Sequence, residues 1–183
     1  MNKQIVVAAA AAALVSAAVL MVVPAHAATV ETAFSPDRGA EQLVLNTIGE
    51  ARKSIRVMAY SFTSRTVVAS LIAARRRGVD VAVTVDYRNN VEEDRSGRAR
   101  AALGALVYAG IPVRTVSAFD LQHSKYVLID DATIETGSFN YSQQAVRFNS
   151  ENVVVIHDAP AVVAAFGANW PDVTAKGVPY NAP

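Results

Sequence analysis

Cysteine is absent from the 183 residues. That excludes disulfides and thiolate metal sites, so stability must come from core burial alone. Histidine is scarce as well, with only His26, His123 and His157 in the chain, too few for a histidine-rich zinc centre. No acidic cluster shows the spacing of an all-oxygen magnesium site, so neither a metal nor another cofactor is expected. An excess of one charge sign is also lacking: 17 basic residues face 16 acidic ones. Lys3 is the only charge in the first 27 residues, and the remainder is formally neutral. Affinity for a polyanion would therefore have to come from local Lys and Arg placement rather than net charge. No internal repeat, low-complexity linker or amphipathic membrane-binding stretch follows the first 27 residues.

Those 27 residues have a layout of their own. Lys3 precedes an apolar run from Ile5 to Val23, and Pro24-Ala25-His26-Ala27 ends it with small residues two apart. This is a basic start, an apolar stretch and an A-x-A cleavage site, as in a secretory signal. The expectation is a signal peptide over residues 1–27 and a periplasmic or secreted product. The alternative is a retained anchor, since the apolar run approaches spanning length. Cleavage leaves residues 28–183 as one domain, with His123 and His157 its only imidazoles.

Strand and helix patterns alternate through this region. Strands are predicted at Val30–Phe34, Ile55–Phe62, Val79–Val85, Val113–Val116, Ser124–Ile129, Thr133–Thr136 and Asn152–His157. A helix is predicted from an N-cap at Ser35-Pro36 to about Ala51, with Ala40, Leu43, Val44, Thr47, Ile48 and Ala51 on one stripe. Others run from Ser64 to a stop at Gly78, from Ser96 to a stop at Gly110, near Ser142–Val146, and from Ala159 to Trp170. The segment Asp86–Arg95 reads as a charged loop, Asp130-Asp131-Ala132 as a hairpin turn, and Pro171–Pro183 as an irregular tail. The fold class is α/β: a layered α/β/α sandwich with a mixed, mostly parallel central sheet.

Chemistry concentrates in His123-Ser-Lys125-Tyr-Val-Leu-Ile-Asp130 and Gly137-Ser138-Phe139-Asn140. His123 and Lys125 differ by two, so an extended chain projects both to one side, whereas Asp130, seven positions on, faces away. Imidazole is a nucleophile towards phosphorus when neutral and a general acid when protonated. Lysine supplies a charge for non-bridging phosphate oxygens, and Ser138 and Asn140 supply hydrogen bonds. Glu151 can accept a proton from the far nitrogen of His123 and so fix its tautomer. Each residue alone has a plainer reading as a solvated charge, a turn residue or a strand-edge carboxylate; the constellation favours chemistry. Among the arginines, Arg75-Arg76-Arg77 end a helix, where cations complement the dipole, while Arg88 and Arg95 are candidate substrate contacts.

H-x-K-x4-D followed by x6-G-S-x-N is the signature of the phospholipase D superfamily, and the chain resembles it at every fixed position. Ser54–Thr63, Arg75–Asp86 and Asn149–Ile156 also resemble its small secreted bacterial endonucleases, which carry one motif per chain. The resemblance implies a phospholipase D-like fold, catalytic roles for His123, Lys125, Ser138, Asn140 and Glu151, and structural ones for Asp130 and Gly137. It implies a metal-independent phosphodiesterase, an endonuclease of low specificity acting on DNA and perhaps RNA through a phosphohistidine. One imidazole cannot attack and donate a proton in the same step, so a homodimer sharing one active site is expected. The competing expectations are a phospholipase D or phosphatidyl transferase using the same groups, and a non-catalytic DNA-binding envelope protein.

Overall fold

The computed structural model describes residues 27–36 and 39–182. Residues 1–26 of the signal peptide expected over 1–27 lie outside them. An eight-stranded sheet forms the centre, built from β1 (Thr29–Ser35), β2 (Ser54–Ala59), β3 (Asp80–Asp86), β4 (Val113–Val116), β5 (Tyr126–Ile129), β6 (Thr133–Gly137), β7 (Glu151–His157) and β8 (Val178–Pro179). Their spatial order is β1-β7-β6-β5-β2-β3-β4-β8. The helices are α1 (Gly39–Glu50), α2 (Arg65–Arg76), α3 (Arg98–Tyr108), α4 (Gln143–Arg147) and α5 (Pro160–Thr174).

Helices cover both faces, and the layered mixed sheet agrees with the sequence expectation. The balance of pairings does not. Only β2–β3 and β3–β4 are parallel; the other pairs are antiparallel. Strands buried on both faces read as continuous apolar runs in either arrangement, so their composition could not settle direction. The parallel part is the β2-α2-β3-α3-β4 unit, where each helix spans a crossover.

One core lies between the sheet and α1, α2, α3 and α4, with Val44, Ile48, Val57, Leu71, Val83, Leu103 and Val127 fully or nearly fully buried. Of the expected α1 stripe, Ala40, Val44, Thr47, Ile48 and Ala51 are buried and Leu43 is partly buried against the same core. The opposite face packs Met58, Tyr126, Leu128 and Ile134 against Val163, Phe166 and Trp170 of α5. The alternation Tyr126-Val127-Leu128-Ile129 thus feeds two cores from one strand. Burying a large apolar side chain contributes roughly 1.5–3 kcal/mol, and a protein without cross-links depends on these two layers.

Several boundaries depart from expectation. Ser35 is the last residue of β1, pairing with Glu151, and its hydroxyl donates to the Asn149 carbonyl at 3.0 Å. The cap expected at Ser35-Pro36 adjoins positions 37–38, which lie outside the described residues, and α1 is described from Gly39. The charged loop contains a short π-helix, Arg88–Glu92, and buries Asn90 completely. The tail is not irregular. α5 continues through Pro171 to Thr174, whose hydroxyl bonds Thr84 at 2.8 Å. β8 then pairs with β4, and the Tyr180 N–H donates to the Val113 carbonyl at 2.8 Å. Tertiary anchors outweigh the local stop signal of proline. Ser64 caps α2 as expected, and Gly78 and Gly110 take positive φ after α2 and α3. Among the described residues no helix is long and apolar enough to cross a membrane.

Candidate active site

The topology gathers the signature at one end of the sheet. β5 and β7 begin, and β6 ends, where the parallel strands β2, β3 and β4 terminate. Ligand sites in α/β sheets favour that carboxyl end. His123 and Lys125 precede β5, which begins at Tyr126 rather than at Ser124. They do lie on one side of the chain: the Lys125 Nζ is 3.0 and 3.2 Å from His123 Nδ1 and Nε2 and donates to the His123 carbonyl at 2.6 Å. The Thr136 hydroxyl donates to the Lys125 carbonyl at 2.9 Å, fixing the approach to β5. Lys125 is only 7% exposed. Burial pulls its pKa down, and the nearby Glu151 carboxylate partly offsets this.

Ser138 follows β6 directly and Glu151 starts β7, so the antiparallel β6–β7 pair sets them side by side. The Ser138 hydroxyl donates to Glu151 Oε2 at 2.6 Å and accepts from the Asn152 N–H at 3.0 Å. Asn149 Nδ2 donates to Glu151 Oε1 at 2.8 Å. Glu151 thus takes Ser138 and Asn149 rather than His123, in contrast to the pairing expected from sequence. The reason is orientation: the imidazole turns towards Tyr60, at a ring separation of 4.5 Å. Asn140 holds a buried amide oxygen with no protein partner, the kind of atom a ligand donor satisfies.

Gly137 has a steric basis. A Cβ there would stand 2.1 Å from the Asn152 carbonyl oxygen, so β6 and β7 approach too closely for a side chain. Asp130 lies at the opposite end of β5. Its carboxylate accepts the Arg52, Lys53 and Ser54 N–H groups at 2.7–2.8 Å. Burial pushes its pKa up, but those three bonds outweigh burial and the net shift is downward. His157 is remote too, at the far end of β7, with Thr133 and Glu31 as partners at 3.1 and 3.0 Å.

Arg88 pairs with Glu93 at 2.7 Å, and Arg95 is exposed beside it. Arg77 donates to the Ile48, Gly49 and Ala51 carbonyls, closing α1 at the Asp130 end of β5 rather than at the His123 end. A groove of about 980 Å³ between α2, α3 and α4 is instead lined by Arg65, Arg98 and Arg147. It adjoins the site, because the Thr63 and Ser64 N–H groups bond the carbonyl of Tyr141, next to Asn140. A cavity of about 420 Å³ lies on the α5 side of Lys125, among Tyr126, Thr136, Phe166 and Asn169. Among the described residues, no group of three His, Cys, Asp or Glu side chains is placed to hold a metal.

Sequence reasoning missed the scaffold of the site. Asp86, at the end of β3 and almost fully buried, accepts the Gln122 N–H at 2.9 Å and the Asn89 N–H at 2.7 Å. Asn90 accepts from the Phe62 N–H and donates to the Tyr60 and Asp86 carbonyls. Glu135 is fully buried, with the Tyr141 hydroxyl donating to it at 2.7 Å. Burial raises its pKa to about 8, against the opposing effect of that bond. Nothing in the local sequence Thr133-Ile-Glu-Thr-Gly137 marks this carboxylate as buried.

A layered α/β domain that brings an imidazole, an ammonium, a hydroxyl and an amide together at its strand ends is built to hold and attack a phosphodiester. Residues 44–169 match the family described as cardiolipin synthase, PLD-like domain. The chain belongs to the phospholipase D superfamily, whose members are phosphodiesterases. It is 35% identical over 141 residues to a phospholipase D of Rickettsia bellii, covering 77% of this chain and 67% of that protein. It is 26% identical to the mitochondrial cardiolipin hydrolase of Xenopus laevis, covering 79% of this chain and 71% of that one. The crystal structure of Nuc from Salmonella typhimurium, a phospholipase D family member, superposes with a TM-score of 0.80. Identity there is 41%, over 85% of this chain and 99% of Nuc.

Proposed function

We propose that this phosphodiesterase is an exported, metal-independent endonuclease that cleaves DNA, and RNA by the same chemistry, at a site shared by two copies. The observation that carries this reading is the solitary imidazole beside Lys125, with the other described histidine at the opposite end of β7. His123 attacks phosphorus, and the bond to the leaving oxygen breaks as the partner's protonated His123 supplies its proton. Water, deprotonated by that same partner imidazole, then releases the phosphohistidine. Lys125, Ser138 and Asn140 hold the non-bridging oxygens.

The dimer reading has further support at the surface. Phe119 and Leu121 before His123, and Phe34 and Phe148 near Glu151, are exposed by 43–71%. Apolar side chains around an incomplete site suit an isologous contact. Nucleic acid is favoured over lipid by the likeness to Nuc along nearly all of that chain. The arginine-lined groove, with no carboxylate in its lining, suits a polyanion longer than one phosphodiester.

The lipid reading keeps one support, the names of the Rickettsia and Xenopus relatives. Plasmid DNA and cardiolipin vesicles, each incubated with wild type and His123→Asn in excess chelator, separate the two. Nicking by wild type alone supports the proposal. Vesicle hydrolysis without nicking transfers the site to lipids, and loss on chelation with recovery in magnesium overturns the mechanism. Co-assembly of His123→Ala with Lys125→Ala chains, each inactive alone, tests the shared site through partial recovery of cleavage.

A further inference from the structure

Tyr60 follows β2 immediately, and its ring packs on the His123 imidazole with centroids 4.5 Å apart and planes inclined by 50°. The Lys125 ammonium lies 5.2 Å from the centroid of the same ring. One aromatic ring therefore neighbours both signature side chains. An aromatic face attracts cations through its quadrupole, and imidazolium is a cation that this face meets directly. The ring is placed by backbone rather than by its own packing. Asn90 donates to the Tyr60 carbonyl at 2.6 Å and accepts from the Phe62 N–H at 2.9 Å, and Asn90 is tied to the Asp86 carbonyl at 2.8 Å.

We propose that Tyr60 is a positioning residue of the reaction: its ring seats the His123 imidazole beside Lys125, in the orientation that attack on phosphorus and proton transfer require. The inference rests on the phosphodiesterase reading above. Among the described residues, Lys125 touches the ring nitrogens, Glu151 on β7 is held by Ser138 and Asn149, and Asp86 on β3 holds the backbone of Gln122. The Tyr60 ring is the aromatic group packed on the imidazole. Both copies carry Tyr60, so the ring acts on the acid and on the nucleophile alike.

The test is kcat and KM with bis(p-nitrophenyl) phosphate, a small diester that does not need the arginine groove. Losing the ring leaves the imidazole free to turn, so Tyr60→Leu lowers kcat on the order of tenfold while KM changes little. Tyr60→Phe keeps the ring and restores the wild-type kcat. Should the leucine variant not fold, Tyr60→Met fills similar space without a ring and shows the same loss. A kcat that the ringless variant leaves unchanged overturns the proposal, as does a Tyr60→Phe variant as slow as Tyr60→Leu. A wild type that leaves the diester uncut refutes the phosphodiesterase reading itself, which separates the two failures.

Discussion

Replacing Glu135 by Gln tests the buried layer behind the signature loop. Glu135 is 1% exposed, and its pKa is raised to about 8 by burial. The unfolded chain releases this proton near the ordinary carboxyl value of 4.5. Between those limits the native state binds more protons than the unfolded one, so stability falls as pH rises. The slope is about 1.4 kcal/mol per pH unit, which sums to roughly 4–5 kcal/mol by pH 8. Glutamine offers the Tyr141 hydroxyl the same acceptor oxygen but has no proton to lose. Glu135→Gln should therefore gain little at pH 5 and several kcal/mol at pH 8. Urea unfolding at the two pH values, at one fixed protein concentration because a dimer's stability depends on it, measures the difference. An equal gain at both pH values, or a loss at both, refutes the argument.

Gly137→Ala should abolish folding or cost several kcal/mol, because its methyl group would overlap the Asn152 carbonyl; a melting temperature near wild type contradicts this. Asp130→Ala removes the acceptor of three backbone N–H groups and should cost about 2–3 kcal/mol at pH 7. The Asp130 pKa is depressed, so that contribution is present above the unfolded carboxyl range and is lost as pH falls through the folded value; a pH-independent deficit argues against it. Arg65→Ala combined with Arg147→Ala should weaken DNA binding and reduce the slope of log affinity against log salt by roughly 1.8, while bis(p-nitrophenyl) phosphate turnover is kept. An unchanged salt slope removes the groove from the DNA path.

His123, Lys125, Ser138, Asn140 and Glu151 were legible as candidates because they lie in short segments, and it is the sheet that carries those segments to one end of the strands. Helix periodicity was equally readable, and Ser64 and Gly78 mark the bounds of α2 closely. Strand direction was not readable, since Val57 and Val127 look alike in a parallel or an antiparallel pair. β8 was hidden because two residues, one of them proline, carry no periodic signal. The partners of Glu151 were missed because His123 is turned away by Tyr60, a contact between segments 63 positions apart. Asn90, inside a charged stretch, has no mark that separates a buried clamp from a solvated loop residue.

The two-residue strand β8 shapes how molecules of this protein can meet. Pro179 has no amide hydrogen, and a strand this short gives an incoming chain almost nothing to bond. That margin of the sheet is closed to growth. Lateral stacking into a continuous ribbon is blocked on one side, and repeated addition, which needs two open margins, cannot propagate. Any contact between copies must then use surfaces other than that margin.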